Sequence, residues 1–215
     1  MNAQSTEEAV KQIRHVSRET FERLTIYHDL LVQWQRRINL ISPTTIDKIW
    51  QRHILDSVQV RNVVPEAKSI IDIGSGAGFP GLVLAILLAD EGGGSVELVE
   101  SNGKKCAFMN AVIRDCGLRD SSVTVSVIHQ RIEDYLPDCR PVDVVSARAL
   151  ASLKDLLRLT ENLLTQDTVG VFSKGTDHAS EIKDALADWG FSYEKTVSAF
   201  QNGSVILKIS QLHRR

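Results

Sequence analysis

A glycine-rich segment carries the clearest chemical information in the chain. It reads Asp72-Ile73-Gly74-Ser75-Gly76-Ala77-Gly78-Phe79-Pro80-Gly81 and stands between an apolar run and a helical pattern. Glycines allow a sharp strand-to-helix turn and let a ligand approach the backbone, and free amides at a helix start bind polar or anionic groups. The segment therefore predicts a small-molecule binding loop, and a tight turn without a ligand is the alternative.

The spacing of the glycines bears on which cofactor binds. Gly74, Gly76 and Gly78 form GxGxG, whereas a dinucleotide-binding loop has GxGxxG. An acidic residue that closes the preceding strand, here Asp72, is the usual methyltransferase form. S-adenosylmethionine has an amino-acid end and no pyrophosphate. In this interpretation the loop amides bind its carboxylate, and Asp72 accepts its ammonium directly or through water.

Positions later in the chain are candidates for the adenosine part of the cofactor. Glu100 ends the second apolar run, where a carboxylate accepts both ribose hydroxyls of an adenosine. NAD enzymes use the same device, so Glu100 alone does not identify the cofactor, and a solvated glutamate is the alternative. The loop after the third run frames the adenine in this fold class, which makes Ile132 and Glu133 candidate contacts.

The elements that would hold these residues follow a regular order. Short apolar runs at 69–73, 96–100, 123–127, 142–145 and 169–172 alternate with helical patterns. Repeated β-α-β units predict a parallel sheet with helices on both faces. Two more strands, near 191–199 and 204–210, are joined through Asn202-Gly203, a hairpin signal.

This order predicts an α/β fold of the class I Rossmann-like methyltransferase type. Its sheet is seven-stranded, mostly parallel, and ends in an antiparallel hairpin, unlike the six-stranded dehydrogenase sheet. Helical patterns fill residues 1–65, and no Gly-, Ser- or Pro-rich linker follows them. We expect a helical extension over 1–65 packed on a main domain over 66–215.

Composition limits the classes of protein that fit. Of 215 residues, 43% are hydrophobic and 24% charged, values that are ordinary for a soluble globular protein. The sequence has neither an apolar run long enough to span a membrane nor a signal-peptide pattern at its start, which predicts a cytoplasmic protein. Cys106, Cys116 and Cys139 lack metal-ligand spacing, so no metal is expected. With a net charge of −2, any RNA contact must come from a local basic surface.

Several groups of residues together resemble a known family. They are Asn39-Leu40 followed by Arg52-His53-Ile54-Leu55-Asp56-Ser57, the glycine-rich segment through Gly81, Glu100 with Lys104-Lys105 and Phe108, Ser146-Ala147-Arg148-Ala149-Leu150, and Lys174-Gly175. On these residues the chain resembles the 16S rRNA (guanine-N7) methyltransferase G family, also called the glucose-inhibited division protein B family. The resemblance covers nearly the whole chain.

The resemblance implies methyl transfer from S-adenosylmethionine to N7 of a guanine in the decoding region of 16S rRNA, as free RNA or in the small ribosomal subunit. Gly74, Phe79, the Ile132-Glu133 pair and Arg148 match the family's cofactor-contacting positions. Relatives often carry a basic residue where this chain has Asn202-Gly203-Ser204, so a substrate role for the terminal hairpin stays open. The candidate substrate contacts are Arg52, His53, Lys104, Lys105 and Lys174.

Methylation at N7 limits which catalytic groups are needed. The N7 lone pair attacks a methyl sulfonium without prior deprotonation, so the work is mostly positioning. Enzymes that methylate exocyclic amines carry an Asn/Asp-Pro-Pro-Tyr-like motif after the fourth strand, and here that strand ends Ser146-Ala147-Arg148-Ala149. We expect Arg148 to anchor the cofactor or the RNA rather than act as an acid or base. A structural salt bridge is the alternative for Arg148, and a purely structural histidine is the alternative for His53.

Other classes of protein share parts of these patterns. A small-molecule methyltransferase with the helical extension as a lid is the nearest alternative. An NAD-dependent oxidoreductase is a second, although the glycine spacing and the terminal hairpin count against it. A nucleotide-binding module without catalysis is a third.

Overall fold

A seven-stranded sheet forms the centre of the molecule, in the order β3-β2-β1-β4-β5-β7-β6. The computed structural model describes residues 3–164 and 167–215. Strands β1 to β5 are parallel, and β7 runs antiparallel to both β5 and β6. The strands are β1 Ser69–Ile73, β2 Gly94–Val99, β3 Val123–Ile128, β4 Val144–Arg148, β5 Val169–Lys174, β6 Trp189–Val197 and β7 Val205–Arg214.

Helices cover both faces of this sheet, as the alternating patterns predict. They are α1 Ala3–Ile13, α2 Arg18–Gln35, α3 Asp56–Val63, α4 Gly81–Asp90, α5 Gly103–Asp115, α6 Ile132–Tyr135, α7 Leu153–Thr160 and α8 His178–Ala185. None of the described helices is both long and apolar enough to cross a membrane. The predicted fold class, with its antiparallel hairpin at the end of a parallel sheet, is confirmed.

Most strands differ slightly from the predicted bounds, and the differences at two of them bear on the site. The fourth strand begins at Val144 because the carboxylate of Asp143 accepts the backbone amides of Lys68 and Ser69 and so caps the start of β1. The second strand ends at Val99, so Glu100 is the first residue after it. Both shifts leave the predicted side chains at the carboxyl edge of the sheet.

The N-terminal helices share one apolar core with the sheet. Leu24, Tyr27 and Leu31 form the buried face of α2, and they belong to the same cluster of side chains as Leu82 and Leu98. Helix α4 is apolar around most of its circumference because it packs on the sheet and also contacts α2 and α3. The helical region is therefore part of the structural core, and a domain boundary at residue 65 stays a prediction.

Two arginines that look like part of a solvated basic surface have structural partners. Arg61 is fully buried, and its guanidinium donates to Glu91 and to the carbonyls of Val64 and Ala67. Arg14 binds the same Glu91 carboxylate at 2.7 Å. These contacts fasten α1 and α3 to the end of α4.

The segment between α2 and α3 is irregular. A 3-10 helix spans Pro43–Lys48, and a π-helix spans Trp50–Leu55. The apolar spacing predicts only an ordinary helix here. Single π-helical turns are rare and are often found at functional sites. In this chain the π-helix holds Arg52 and His53 next to the end of β4.

Candidate active site

A cleft of about 440 Å³ opens at the carboxyl ends of β4 and β5. Its walls are the glycine-rich segment, the irregular segment before α3, the two strand ends and the connection between β6 and β7. Ligands bind at this edge in open α/β sheets, where the strand order reverses. The cleft brings together these predicted site residues: Arg52, His53, Gly74, Gly76, Phe79, Lys105, Arg148 and Lys174.

The remaining predicted residues lie outside this cleft. They are Asp72, Gly78, Glu100, Lys104, Ile132 and Glu133. Sheet order explains the separation, because Glu100 follows β2 and Ile132 comes after β3, on one side of β1, whereas Arg148 and Lys174 end strands on the other side. The glycine-rich segment follows β1 and so lies between the cleft and a second group of predicted residues. This second group, formed by Glu100, Ile132 and Glu133, is the predicted cofactor half-site.

The three loop glycines have different surroundings. Gly74, Gly76 and Gly78 all have left-handed backbone, with φ of +63°, +58° and +90°. A side chain at Gly78 would overlap with Leu82 of α4, so this glycine is required by packing. Above Gly76 the nearest other atom is 3.8 Å from an added Cβ, the carbonyl oxygen of Gly74. Space for a ligand therefore exists at Gly76.

Asp72 is buried inside the turn. Its carboxylate accepts the Ser146 hydroxyl at 2.7 Å and the Gly81 amide at 3.2 Å, and its backbone carbonyl accepts the Ser75 hydroxyl. Burial raises its pKa to about 6. Because Asp72 is completely buried and both carboxylate oxygens face protein donors, the geometry favours a role in holding β1, β4 and the start of α4 together over direct contact with a ligand.

Glu100 connects the glycine-rich segment to the next helix. One carboxylate oxygen accepts the Gly76 amide at 3.0 Å, and the other accepts the Asn102 amide at 2.8 Å. Asn102 in turn caps the start of α5. Beyond β3, Ile132 is half-buried and Glu133 is exposed at the start of α6. Glu100, Ile132 and Glu133 therefore lie in the predicted cofactor half-site, outside the cleft.

Arg148 lies at the centre of an aromatic cluster. Its guanidinium carbon is 5.0 Å from the centroid of the Phe79 ring. The same ring stacks with Tyr27 at 5.0 Å and with His53 at 5.1 Å between centroids. Arg148 Nη1 donates to the Arg52 carbonyl at 2.9 Å, and Nη2 contacts His53 Nδ1 at 2.7 Å. No carboxylate forms an ion pair with Arg148 within the described ranges. The geometry therefore does not support the alternative in which Arg148 forms a structural salt bridge.

His53 is a neutral hydrogen-bonding group in this cluster. An arginine only donates, so His53 Nδ1 accepts from Arg148 and the ring proton is on Nε2, which contacts Thr45 Oγ1 at 2.9 Å. Burial, followed by the charges of Arg148 and Arg52, lowers the pKa of His53 to about 3. Both ring nitrogens are occupied, so His53 is not placed to take a proton from a substrate.

The candidate lysines differ in their contacts. The Lys174 ammonium is buried, pairs with Glu181 at 2.5 Å and donates to the Ala151 carbonyl at 2.8 Å. It thereby holds the turn after β4, where Ala149 has a φ of +51°. Lys104 is exposed and Lys105 half-buried at the start of α5. The geometry therefore favours Lys105 over Lys174 as a group that is free to meet a ligand.

The structure adds residues at the cleft that sequence reasoning missed. Asp56 accepts the Ser198 hydroxyl at 2.7 Å and the Gln201 side-chain amide at 2.8 Å. These bonds join α3 to the β6–β7 connection, which forms one wall of the cleft together with Ser204. Asp56 belongs to the Arg-His-x-Leu-Asp-Ser motif, and that motif could have marked it as a site residue. No local sequence pattern identifies Ser198, Gln201 or Thr45 as site residues.

Comparisons with known proteins agree with this geometry. Among solved structures, a methyltransferase from Geobacter sulfurreducens aligns with a TM-score of 0.56 at 14% identity, over 88% of each chain. A mutant of MtNAS crystallised with S-adenosylmethionine aligns with a TM-score of 0.59 at 15% identity, over 86% of this chain and 72% of that one. The sheet order and these alignments define the fold as that of a Rossmann-like methyltransferase.

Sequence comparison is more specific. The family model GidB, rRNA small subunit methyltransferase G, matches residues 20–207. The ribosomal RNA small subunit methyltransferase G of Bartonella henselae is 44% identical over 209 residues, which is 97% of this chain and 95% of that protein. The chain belongs to the rRNA small subunit methyltransferase G family. The predicted family and methyltransferase activity are thereby confirmed, and the oxidoreductase and the non-catalytic module are excluded.

The low pKa of His53 predicts a specific dependence of stability on pH. An unfolded chain protonates this imidazole below about pH 6.5, whereas the folded protein keeps it neutral down to a pKa of about 3. The unfolded state therefore binds the extra proton, and folding is weakened as the pH falls. Between about pH 6 and 4, the wild type is expected to lose about 1.4 kcal/mol per pH unit relative to His53→Gln.

Urea unfolding of both proteins at several pH values measures this difference. Taking the difference cancels contributions from other groups, such as Asp72, which both proteins share. Parallel pH profiles for the two proteins would show that His53 is not held neutral by its surroundings.

Proposed function

We propose that the protein transfers a methyl group from S-adenosylmethionine to N7 of a guanine in the decoding region of 16S rRNA. The matched relatives are named for the RNA of the small ribosomal subunit. The observation that carries the choice of N7 is that the described residues of the cleft supply no free general base. His53 is neutral with both nitrogens occupied, and both carboxylate oxygens of Asp56 accept hydrogen bonds. N7 needs no base, unlike an amine or a hydroxyl.

The residues at the glycine-rich segment fit S-adenosylmethionine. The open space above Gly76 admits a ligand close to the backbone of the turn. Glu100 lies beside this space and would accept ribose hydroxyls, with Ile132 and Glu133 beyond it at the adenine. Asp72 supports the turn from beneath. When bound, the cofactor supplies the methyl group that N7 receives as the carbon–sulfur bond breaks.

Arg148 contributes position rather than proton transfer. A guanidinium has five N–H donors, and its contacts with His53 and the Arg52 carbonyl use only part of them. Arg148 lines the cleft, and the donors that these two contacts leave over suit a phosphate, a carboxylate or guanine O6. The fixed guanidinium holds the ligand so that nucleophile, methyl group and sulfur lie in line.

Basic residues at the cleft entrance support an RNA substrate over a small molecule. Helices α2 and α5 pack against each other. Cys116 Sγ donates to the Arg23 carbonyl, and Trp34 near the end of α2 contacts the ring of Phe108 edge-on. The end of α2 therefore lies near the start of α5. Cations elsewhere on these helices pair with acids, for example Arg23 with Glu19. Arg52 and Lys105 line the cleft. Within the described ranges neither of them forms an ion pair with an acid, and the same holds for Arg36, Arg37 and Lys104 on the same two helices or next to them. Unpaired cations are suited to contact RNA phosphates.

A glycine pair tests the cofactor site. Gly76→Ala places a methyl group in the ligand space and is expected to weaken S-adenosylmethionine binding about tenfold or more, which is about 1.4 kcal/mol. Gly117→Ala is the matched control, because Gly117 has a φ of +64°, also with nothing in the way of a Cβ, and lies after α5 away from the loop. Isothermal titration calorimetry should show wild-type affinity for Gly117→Ala. Equal affinities in the two variants would remove Gly76 from the cofactor site.

The reaction itself is tested on small ribosomal subunits from a strain that lacks the gene. Purified protein and S-adenosylmethionine should restore one N7-methylguanine to 16S rRNA, located by chemical cleavage at the modified base. Under single-turnover conditions the rate should be flat between about pH 6.5 and 9, because no base must be deprotonated.

Two results would contradict this proposal. Absence of N7-methylguanine in the treated subunits, with methylation of a small molecule instead, would favour the alternative function. A rate that rises with a slope near one against pH would mean that a base is needed and that the target is an amine or a hydroxyl.

A further inference from the structure

A chain of hydrogen bonds joins the 3-10 helix to the end of β4. Arg148 Nη2 contacts His53 Nδ1 at 2.7 Å, and His53 Nε2 contacts Thr45 Oγ1 at 2.9 Å. The Thr45 hydroxyl lies 2.8 Å from the Ser42 carbonyl oxygen. The chain thus begins at the guanidinium and ends at a backbone acceptor just before the 3-10 helix.

The proton positions in this chain are fixed at both ends. Arginine has donors only, so His53 Nδ1 must accept. A carbonyl has no proton to give, so the Thr45 hydroxyl donates to Ser42 and its oxygen accepts from His53 Nε2–H. Every bond therefore points away from Arg148, and such aligned bonds strengthen one another. The other tautomer of His53 would set an N–H of the ring against an N–H of Arg148.

Arg148 depends on this chain because its other contacts are few. Its hydrogen bonds go to two uncharged acceptors, His53 Nδ1 and the Arg52 carbonyl, and no acidic side chain forms an ion pair with it in the described part of the protein. The stacking on Phe79 does not fix the rotation of the guanidinium in its own plane. The two acceptors, His53 Nδ1 and the Arg52 carbonyl, supply that constraint together, and the chain provides the first of them.

We propose that Thr45 and His53 are positioning residues for Arg148, with Thr45 selecting the His53 tautomer that accepts from the guanidinium. The role rests on the proposed function, in which Arg148 holds the ligand for methyl transfer. Thr45 touches neither the glycine-rich segment nor the strand ends through its hydroxyl, so its effect on the reaction passes through His53.

Two matched pairs of variants test the chain. His53→Asn keeps an acceptor near the position of Nδ1 and gives up the bond to Thr45, whereas His53→Gln reaches Thr45 and gives up the acceptor for Arg148. His53→Gln should therefore methylate small subunits about tenfold more slowly than His53→Asn in single turnover. Thr45→Val should slow the wild type about tenfold, and Thr45→Ser should restore the rate because it keeps the hydroxyl.

A combined variant and a spectrum separate this role from general stability. Thr45→Val added to His53→Asn should cause no further loss, because the bond between the two residues is already absent. The ¹⁵N spectrum of histidine-labelled wild type should show His53 as the Nε2–H tautomer, and Thr45→Val should shift it towards a mixture. Its signal is identified by its absence from His53→Asn.

The contradicting results are distinct from failure of the proposed function. An Nδ1–H tautomer in the wild type, or equal losses for His53→Asn and His53→Gln that follow their melting temperatures, would overturn the positioning role. A wild type that does not methylate small subunits while its spectrum shows the Nε2–H tautomer would instead contradict the proposed function and leave the geometry of the chain intact.

Discussion

The Arg148 guanidinium lies over the ring of Phe79, and three separate parts of the chain meet at this contact. Phe79 belongs to the glycine-rich segment, Arg148 ends β4, and His53 comes from the π-helix on the opposite wall. A guanidinium stacked on an aromatic ring and held by uncharged acceptors keeps its charge unpaired for a ligand. The cofactor half-site and the cleft are therefore mechanically joined through one ring.

This contact explains why the helical region is part of the core. Tyr27 of α2 stacks on Phe79 and donates its hydroxyl to the Ala77 carbonyl at 2.5 Å, so α2 supports the glycine-rich segment from behind. Asp56 binds Ser198 and Gln201 and fixes the β6–β7 connection as a further wall. Without these elements two walls of the cleft would lose their support. The contacts fix the helical region to the rest of the molecule, so it does not have the features of a freely opening lid.

Local pattern was enough to predict the sheet and the glycine-rich turn. Apolar runs, glycine spacing and the Asn202-Gly203 signal depend on neighbouring residues, and the parallel topology follows from the alternation of elements. The roles of individual side chains were harder to predict. Asp72 turned inward and Lys174 paired with Glu181 because their partners come from other strands and helices that no local pattern identifies. The contact between Arg148 and His53 spans 95 positions.

The irregular segment shows a second limit of sequence patterns. Apolar spacing around Ile49 and Ile54 fits an ordinary helix, but the chain forms a 3-10 and a π-helix there. Tertiary contacts decide the result, since His53 reaches Arg148 and Ser57 donates to the His53 carbonyl at 2.6 Å. The Arg-His-x-Leu-Asp-Ser motif marked the segment as unusual without revealing its geometry.

Substitution of Arg148, followed by two titrations on the same protein, tests the central claim most directly. Arg148→Ala should bind S-adenosylmethionine or methylate small subunits about tenfold to hundredfold less well, the loss expected for one charged contact. Arg148→Lys should rescue little, because an ammonium cannot reproduce two directed bonds and a planar stack. Cofactor affinity and methylation rate that both match the wild type, with only the melting temperature lowered, would contradict the claim and make Arg148 a structural residue.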